Sequence, residues 1–172
     1  MEHMINLLHD QKLLLAAYQL FYGKRYTSNC KEKAIQMVYL LQRAGIDIGG
    51  FSFSFNSYPY SPGLLLLIRQ LDRKELEIDM FYNNAAIKDS VIGKYRNKIL
   101  EIRGALSILE HSADSLSWVT LLSTMAYVAH SVLPGAGFEL ICDNVNEKLH
   151  TNYQEDIMRS AWNALSNVNL LF

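Results

Sequence analysis

The chain has 172 residues, of which half are hydrophobic and 19% are charged, so it is long enough to bury the core of one domain and too apolar for an intrinsically disordered protein. Its net charge of −1 at pH 7 excludes a strong overall field that would draw it to nucleic acid or to an anionic membrane. The charge is unevenly placed, because residues 1–109 hold 14 Lys and Arg against 10 Asp and Glu, whereas residues 110–172 hold 2 against 7.

The two cysteines, Cys30 and Cys142, are too few for a disulfide framework. The first residues, Met1–Met4, start acidic and lack a basic segment with a long apolar run, so the sequence predicts no secretory signal. Residues 115–138 lack charged side chains, but Ser, Thr and His interrupt the run and Pro134 ends it, which favours a buried central helix over a membrane span. We therefore expect a cytoplasmic protein with buried thiols and no membrane association.

The first two predicted elements are helices. Hydrophobic residues recur at three- and four-residue spacing over residues 4–22, and Gly23 follows as a C-cap. A second helix is predicted from Asn29, because Asn29 and Glu32 form a start similar to a capping box, and Gly45 ends it.

The hydrophobic period then changes. Strict alternation of Phe and Ser over residues 51–55 predicts a strand with three rings on one face. Residues 56–60 predict a loop, and Ser61 followed by Pro62 predicts an N-cap with proline at the first position of a short helix. Residues 75–80 alternate again and predict a second strand. The two strands would form a small β element packed on helices.

The remaining elements are predicted helices over residues 88–109, with weak points at Gly93 and Gly104, and over residues 116–132, 138–149 and 154–168, with a break at residues 134–137. The sequence contains no internal repeat and no linker long enough to divide it. It therefore predicts a single helical domain over residues 1–172. The fold class is mainly α, a compact bundle of six to seven helices with a small two-stranded β element, which is winged-helix-like.

Motifs for catalysis and metal binding are absent. The patterns GxxxxGK[ST], GxGxxG, HExxH, CxxC and GxSxG do not occur. Glu147 and His150 form one Glu-x-x-His that shares a helical face with Glu139 and Asp143, but a di-iron bundle needs two such motifs, so we interpret this face as solvated. The sequence thus predicts a non-enzymatic protein with no catalytic residues, no metal and no cofactor. An enzyme with an unrecognised site is a less favoured hypothesis, besides the protein-binding and DNA-binding functions considered below.

One cysteine is a candidate nucleophile. Cys30 lies near a helix start beside Lys31 and Lys33, a position that could lower the pKa of its thiol. No His or acidic partner can be assigned to it from the sequence, so a structural cysteine is favoured.

Five basic residues support an alternative function. The predicted helix over residues 88–109 carries Lys88, Lys94, Arg96, Lys98 and Arg103. Beside a two-stranded β element, this helix could read DNA in a winged-helix-like transcription regulator. The basic residues are split between two helical faces, however, and the chain as a whole is slightly acidic. Nucleic acid is therefore the less favoured partner.

The most distinctive segment runs from Gln36–Leu41 through Phe51–Phe53 to Tyr58–Leu64. It resembles small bacterial proteins of the YwgA-like type and, more remotely, the SocA-like (Panacea) antitoxin domains. These families share an "lqKlvYll" helix, a short aromatic strand and a "GPYS" loop before the next helix. In this chain Met37 stands where Lys is usual, and Tyr58 stands where the loop Gly is usual.

The resemblance implies a helical, partly winged-helix-like fold without an active site, in a bacterial toxin–antitoxin, prophage or defence setting. SocA-like antitoxins contact a toxin protein directly. We therefore expect a protein-binding module, antitoxin-like or regulatory, whose partner is a protein such as a toxin. The candidate partner-binding residues are Tyr58, Pro59, Tyr60 and Ser61, because Tyr is favoured at the energetic centres of interfaces. The loop could instead only fix the angle between strand and helix.

Overall fold

The computed structural model describes residues 5–172. Residues 1–4, on which the prediction of no secretory signal depends and where the first helix was predicted to begin, lie outside this part. The described elements are α1 (His9–Tyr22), α2 (Lys31–Arg43), β1 (Ser54–Phe55), β2 (Pro59–Tyr60), α3 (Pro62–Leu71), α4 (Glu75–Tyr82), α5 (Ala85–Ile92), α6 (Arg96–Ala105), α7 (Ser115–Tyr127), α8 (Phe138–Leu149) and α9 (Glu155–Asn167). Short 3₁₀ turns precede α2 and α7, and a π-helical turn, Val128–Val132, extends α7.

Helix α7 lies at the centre of the core. From Trp118 to Ala126 every residue except Thr120 is buried, which confirms a buried helix in the middle of the charge-free segment, although residues near both ends of that segment are exposed. Helices α2, α8 and α9 pack against α7, whereas α5 and α6 pack against α1. One hydrophobic cluster runs through all these helices, so burial of apolar area holds the bundle together.

The mainly helical fold with a two-stranded β element is as predicted, although the described residues hold nine α-helices rather than six or seven. Helix α3 begins where its sequence predicted, because the Ser61 hydroxyl accepts the backbone N–H of Leu64 at 3.3 Å. The start of α1 is stabilised by a different hydrogen bond. There the side chain of Gln11 accepts the backbone N–H of Leu8 at 3.0 Å.

The predicted strand over residues 75–80 is wrong, because this segment forms helix α4. Its buried residues are Ile78, Phe81 and Tyr82, which follow the spacing of one helical face. Leu76, which the alternating pattern placed inside, is 60% exposed. A pattern of six residues was too short to distinguish the two periods.

The predicted single helix over residues 88–109 is also wrong. It is divided into α5 and α6 by a turn at residues 93–95. Helix α5 starts earlier than predicted, because the side chain of Asn84 accepts the backbone N–H of Ile87 at 3.1 Å and caps it. Consequently, the five basic residues of the DNA-binding alternative do not lie on one helix.

The β element is a hairpin within the aromatic segment. Strands β1 and β2 are antiparallel, with Ser54 opposite Tyr60 and Phe55 opposite Pro59. The partner of the first strand is therefore the segment that was predicted to be loop. The hairpin packs on α2 and α7, so it lies over the contact between those two helices.

Candidate functional site

The chain that enters the hairpin is fixed by one side chain of α2. Gln42 donates from Nε2 to the carbonyl oxygen of Phe51 at 2.6 Å, and its Oε1 accepts the backbone N–H of Phe51 at 2.9 Å. These two hydrogen bonds satisfy the backbone N–H and carbonyl oxygen of Phe51, which a neighbouring strand would satisfy in a longer sheet. The hairpin therefore needs few ladder hydrogen bonds of its own.

Aromatic rings hold the hairpin against the helices. Tyr39 of α2 contacts Phe53 edge-on, with ring centroids 5.1 Å apart, and Tyr127 of α7 at 6.1 Å. The ring centroid of Phe55 lies 5.6 Å from that of Tyr127, and the ammonium group of Lys148 lies over the Phe55 ring, 5.0 Å from its centroid. Such pairs add to the stability given by burial alone, so the hairpin is a rigid platform.

The four predicted partner-binding residues divide into two kinds. Pro59 is buried, and Ser61 is 2% exposed and is used as the cap of α3. Tyr58 and Tyr60 are half-buried, each with part of its ring accessible. The two tyrosines are therefore the members of this loop that a partner can reach.

A cavity of about 420 Å³ lies where the hairpin tip meets the starts of α2 and α7. It will be called the hairpin cavity. Tyr58 forms one wall, Leu116 of α7 forms another at 39% exposure, and the segment Ser28–Lys33 forms the third. Burial, together with the negative charge of nearby Glu32, raises the pKa of Tyr58, so its phenol stays neutral at physiological pH.

The sequence indicated Tyr58 as a wall of this cavity but not Leu116. The only signal for Leu116 was an apolar side chain in the first turn of the charge-free helix. That position is no different in sequence from the buried leucines that follow it. Only the packing of α7 on α2 shows that its first turn projects beyond the core.

Cys30 lies in the wall of the hairpin cavity. Burial alone raises the pKa of its thiol. The hydrogen bonds of Thr27 and Tyr18 and the charge of Lys33 outweigh this effect, and the pKa is lowered below the usual value. The Thr27 hydroxyl lies 3.4 Å from Sγ. Of the two thiols predicted to be buried, Cys142 is buried and Cys30 is half-buried.

Below the hairpin, the contact between α2 and α7 contains a seam of polar side chains. The Thr120 hydroxyl donates to Oε1 of Gln36 at 3.1 Å, and Tyr39 meets Tyr127 further on, so the two helices run parallel. Gln36 Nε2, the Tyr39 hydroxyl and the Thr124 hydroxyl are buried without a hydrogen-bond partner within residues 5–172. Such groups oppose folding, so this contact is weaker than an apolar one of equal size.

The basic residues of the DNA-binding alternative are dispersed. Lys88 is half-buried on α5, and Lys94 lies in the turn with its ammonium 5.3 Å from the ring centroid of Tyr95. Arg103 is half-buried and donates to the carbonyl oxygen of Leu20 at 3.0 Å. Arg96 and Lys98, near the start of α6, are exposed. Helices α5 and α6 pack on α1, whereas the hairpin packs on α2 and α7. The basic helices and the hairpin therefore do not form one DNA-binding surface.

The acidic face predicted from the sequence is present on α8, where Glu139, Asp143 and Glu147 are all exposed. His150 ends this helix in the left-handed conformation, with φ of 52°. Within the described part of the chain, no three His, Cys, Asp or Glu side chains are grouped closely enough to hold a metal ion.

Among residues 5–172, no helix has the length and apolarity needed to cross a bilayer. Among protein-family models, curated proteins and solved structures, none matches this chain.

Proposed function

We propose that this protein is a non-enzymatic protein-binding module that holds its partner at the hairpin cavity. The observation that supports the proposal is a preformed cavity of about 420 Å³ between an immobilised hairpin tip and two helix starts. A binding surface that is already ordered loses little conformational entropy on association. The aromatic packing and the Gln42 contact provide that order before any partner arrives.

The lining of the hairpin cavity fits a protein segment. Tyr58 and Leu116 offer apolar area, while Lys31, Glu32 and Lys33 place both signs of charge beside them. An apolar anchor surrounded by polar groups is the usual composition of a protein interface. We therefore expect the partner to insert one apolar side chain and to pair with the flanking charges.

The proposal includes an antitoxin-like or regulatory role for this module. The resemblance of residues 36–64 to the SocA-like antitoxin domains supports an antitoxin-like or regulatory role, with a toxin as the protein partner. The free thiols of Cys30 and Cys142 are compatible with the reducing conditions of the cytoplasm.

The test is site-specific photocrosslinking in the native host. A photoreactive amino acid in place of Tyr58 or of Leu116 should capture the same protein. The same amino acid in place of Leu76, which is 60% exposed on α4, should not capture it. Capture at Leu76 equal to that at both cavity positions would refute the proposed interface.

A variant experiment separates binding from folding. Tyr58→Ala and Tyr60→Ala should each reduce capture of the crosslinked protein, while Tyr95→Ala, which removes a half-buried ring next to α6, should not. Circular dichroism of each variant shows whether the helices are intact. Undiminished capture by Tyr58→Ala would remove the loop from the interface.

DNA binding is the second candidate. The observation that favours it is the exposure of Lys94, Arg96 and Lys98 around the junction of α5 and α6. If these residues contact phosphates, duplex DNA should bind at low salt and be released as salt rises. Replacing all three by Glu should abolish a mobility shift. No shift for the unmodified protein at micromolar concentration would end this alternative.

A further inference from the structure

A second cavity, of about 310 Å³, lies between the turn that precedes α7 and the start of α9. It will be called the Trp118 cavity. Trp118 and Leu121 of α7 and Ile157 of α9 provide its apolar lining, and Asp114 and Tyr153 provide polar groups. It shares no lining residue with the hairpin cavity.

The apolar lining of the Trp118 cavity is held in place by hydrogen bonding and stacking. The indole N–H of Trp118 donates to the carbonyl oxygen of Leu106 at 2.8 Å. The imidazole of His111 stacks on the indole at 4.1 Å between centroids and 9° between planes. His111 Nδ1 lies 2.9 Å from the carbonyl oxygen of Ser107, so Nδ1 carries a proton and donates to that oxygen.

The polar lining has an excess of acceptors. The Asp114 side chain is exposed and forms no ion pair with any residue that the structure describes. Tyr153 lies close enough that burial and the charge of Asp114 raise its pKa. Its backbone N–H donates to the side chain of Asn146 at 3.0 Å, which fixes the loop. The remaining polar lining residues are His111, Ser117 and Ser160, and no Lys or Arg lines the cavity.

The charge of the surrounding chain has the same sign. Residues 110–172, which supply the whole lining, contain 2 Lys and Arg against 7 Asp and Glu. An anion entering the cavity would meet the carboxylate of Asp114, and no Lys or Arg in the lining would offset that charge. A positively charged group would be attracted to it, and an apolar body attached to that group would be accepted by Trp118, Leu121 and Ile157.

We propose that the Trp118 cavity binds a small organic cation, a primary ammonium group on an aromatic or alkyl body. The ammonium group pairs with the carboxylate of Asp114 and donates to the neighbouring hydroxyl groups. The apolar body lies against Trp118 and Ile157. The volume of about 310 Å³ is at the lower end of the range for small-molecule sites, which fits a ligand of one ring and a short chain. The same chemistry is present in a free amine and in a lysine side chain.

The test uses phenylethylamine as the probe and the fluorescence of Trp118 as the signal. The chain has two tryptophans, so Trp162→Phe is made first to leave Trp118 as the only one. Phenylethylamine should change the emission saturably. Phenylethanol, which lacks the charge, should bind at least about tenfold more weakly because a charge-assisted hydrogen bond is lost. Phenylpropionate should not bind.

Variants locate the site. In the same background, Asp114→Asn should weaken phenylethylamine about tenfold and leave phenylethanol unchanged. Asp143→Asn, which removes an equal charge from the exposed face of α8, should leave both affinities unchanged and controls for the overall acidity. Ile157→Ala should weaken phenylethylamine and phenylethanol alike.

Three outcomes would overturn the proposal: no saturable response to phenylethylamine, equal affinity for phenylpropionate, or an unchanged affinity in Asp114→Asn. A further probe, N-acetyl-lysine methylamide, distinguishes the sources of the ammonium. Binding as tight as that of phenylethylamine supports a lysine side chain of another protein as the ligand. Much weaker binding supports a free amine. Neither result depends on the hairpin cavity, so failure of one proposal can be distinguished from failure of the other.

Discussion

The contact between Gln42 and Phe51 gives a quantitative prediction about the hairpin. Gln42→Met keeps the length and shape of the side chain but removes both hydrogen bonds to the Phe51 backbone, which are 2.6 and 2.9 Å long. Each such bond contributes about 1 kcal/mol net. Phe51 is half-buried, so water can replace them only in part. We therefore expect the free energy of unfolding to fall by about 2 kcal/mol, and the melting temperature of a chain of this size by about 4–8 °C.

Two measurements check this prediction. Urea unfolding followed by circular dichroism gives the free energy, and limited proteolysis with chymotrypsin reports on the aromatic segment 51–60, which should be cut faster in Gln42→Met. The matched control is Gln19→Met. Gln19 is a half-buried glutamine of α1 whose side chain makes no hydrogen bond with the described residues. A loss below about 0.5 kcal/mol in Gln42→Met, or a loss equal to that of the control, would refute the reasoning.

Three further predictions concern single groups. Ser61→Ala removes the cap of α3 and should lower the free energy of urea unfolding by about 1 kcal/mol; wild-type stability would show that the cap is dispensable. Tyr82→Phe deletes the hydroxyl that accepts the buried backbone N–H of Tyr26 and should lower that free energy by about 2 kcal/mol; an unchanged melting temperature would contradict this. Iodoacetamide at about pH 8 should label Cys30 before Cys142, because the pKa of Cys30 is lowered whereas burial raises that of Cys142 to about 11, and the lower pKa gives the larger thiolate fraction. Peptide mass spectrometry would show this order, and faster labelling of Cys142 would exclude it.

The helices that could be predicted from sequence are those whose ends carry local signals. Ser61 with Pro62 marks the start of α3, and the glycine-rich break at residues 134–137 separates α7 from α8. The segment 75–80 could not be assigned correctly because its alternation fits a strand locally, and only burial of Phe81 and Tyr82 beyond it decides for a helix.

The strand predicted over residues 51–55 is confirmed only at Ser54 and Phe55, and it pairs with a segment that was expected to be a loop. Phe51, Phe53 and Phe55 alternate with exposed residues, as a strand requires. Strand β1 nevertheless covers only Ser54 and Phe55, and the backbone of Phe51 is hydrogen-bonded to Gln42 instead. Gln42 lies nine residues before Phe51 and takes the backbone hydrogen bonds that a strand would otherwise make. The hydrophobic period of the sequence does not reveal such a contact.

The candidate site was predictable only in part for a similar reason. Tyr58 and Tyr60 were visible as an aromatic loop, and Cys30 as a cysteine beside lysines. That Tyr58, Cys30 and Leu116 line one cavity depends on the packing of α2 on α7. Contacts between residues so distant in the chain leave no signal in a single sequence.

The way the hairpin is fastened has a consequence for how its tip can vary. The strands are two residues long, and the fastening lies in Gln42, Tyr39 and Tyr127, on helices outside the hairpin. The tip at residues 56–58 contributes little to that fastening, and Ser57 already adopts a left-handed backbone conformation with φ of 65°. Exchanging the tip for other short turns should therefore alter what is recognised while the bundle stays folded. This makes the position suitable for grafting new recognition loops onto the same scaffold.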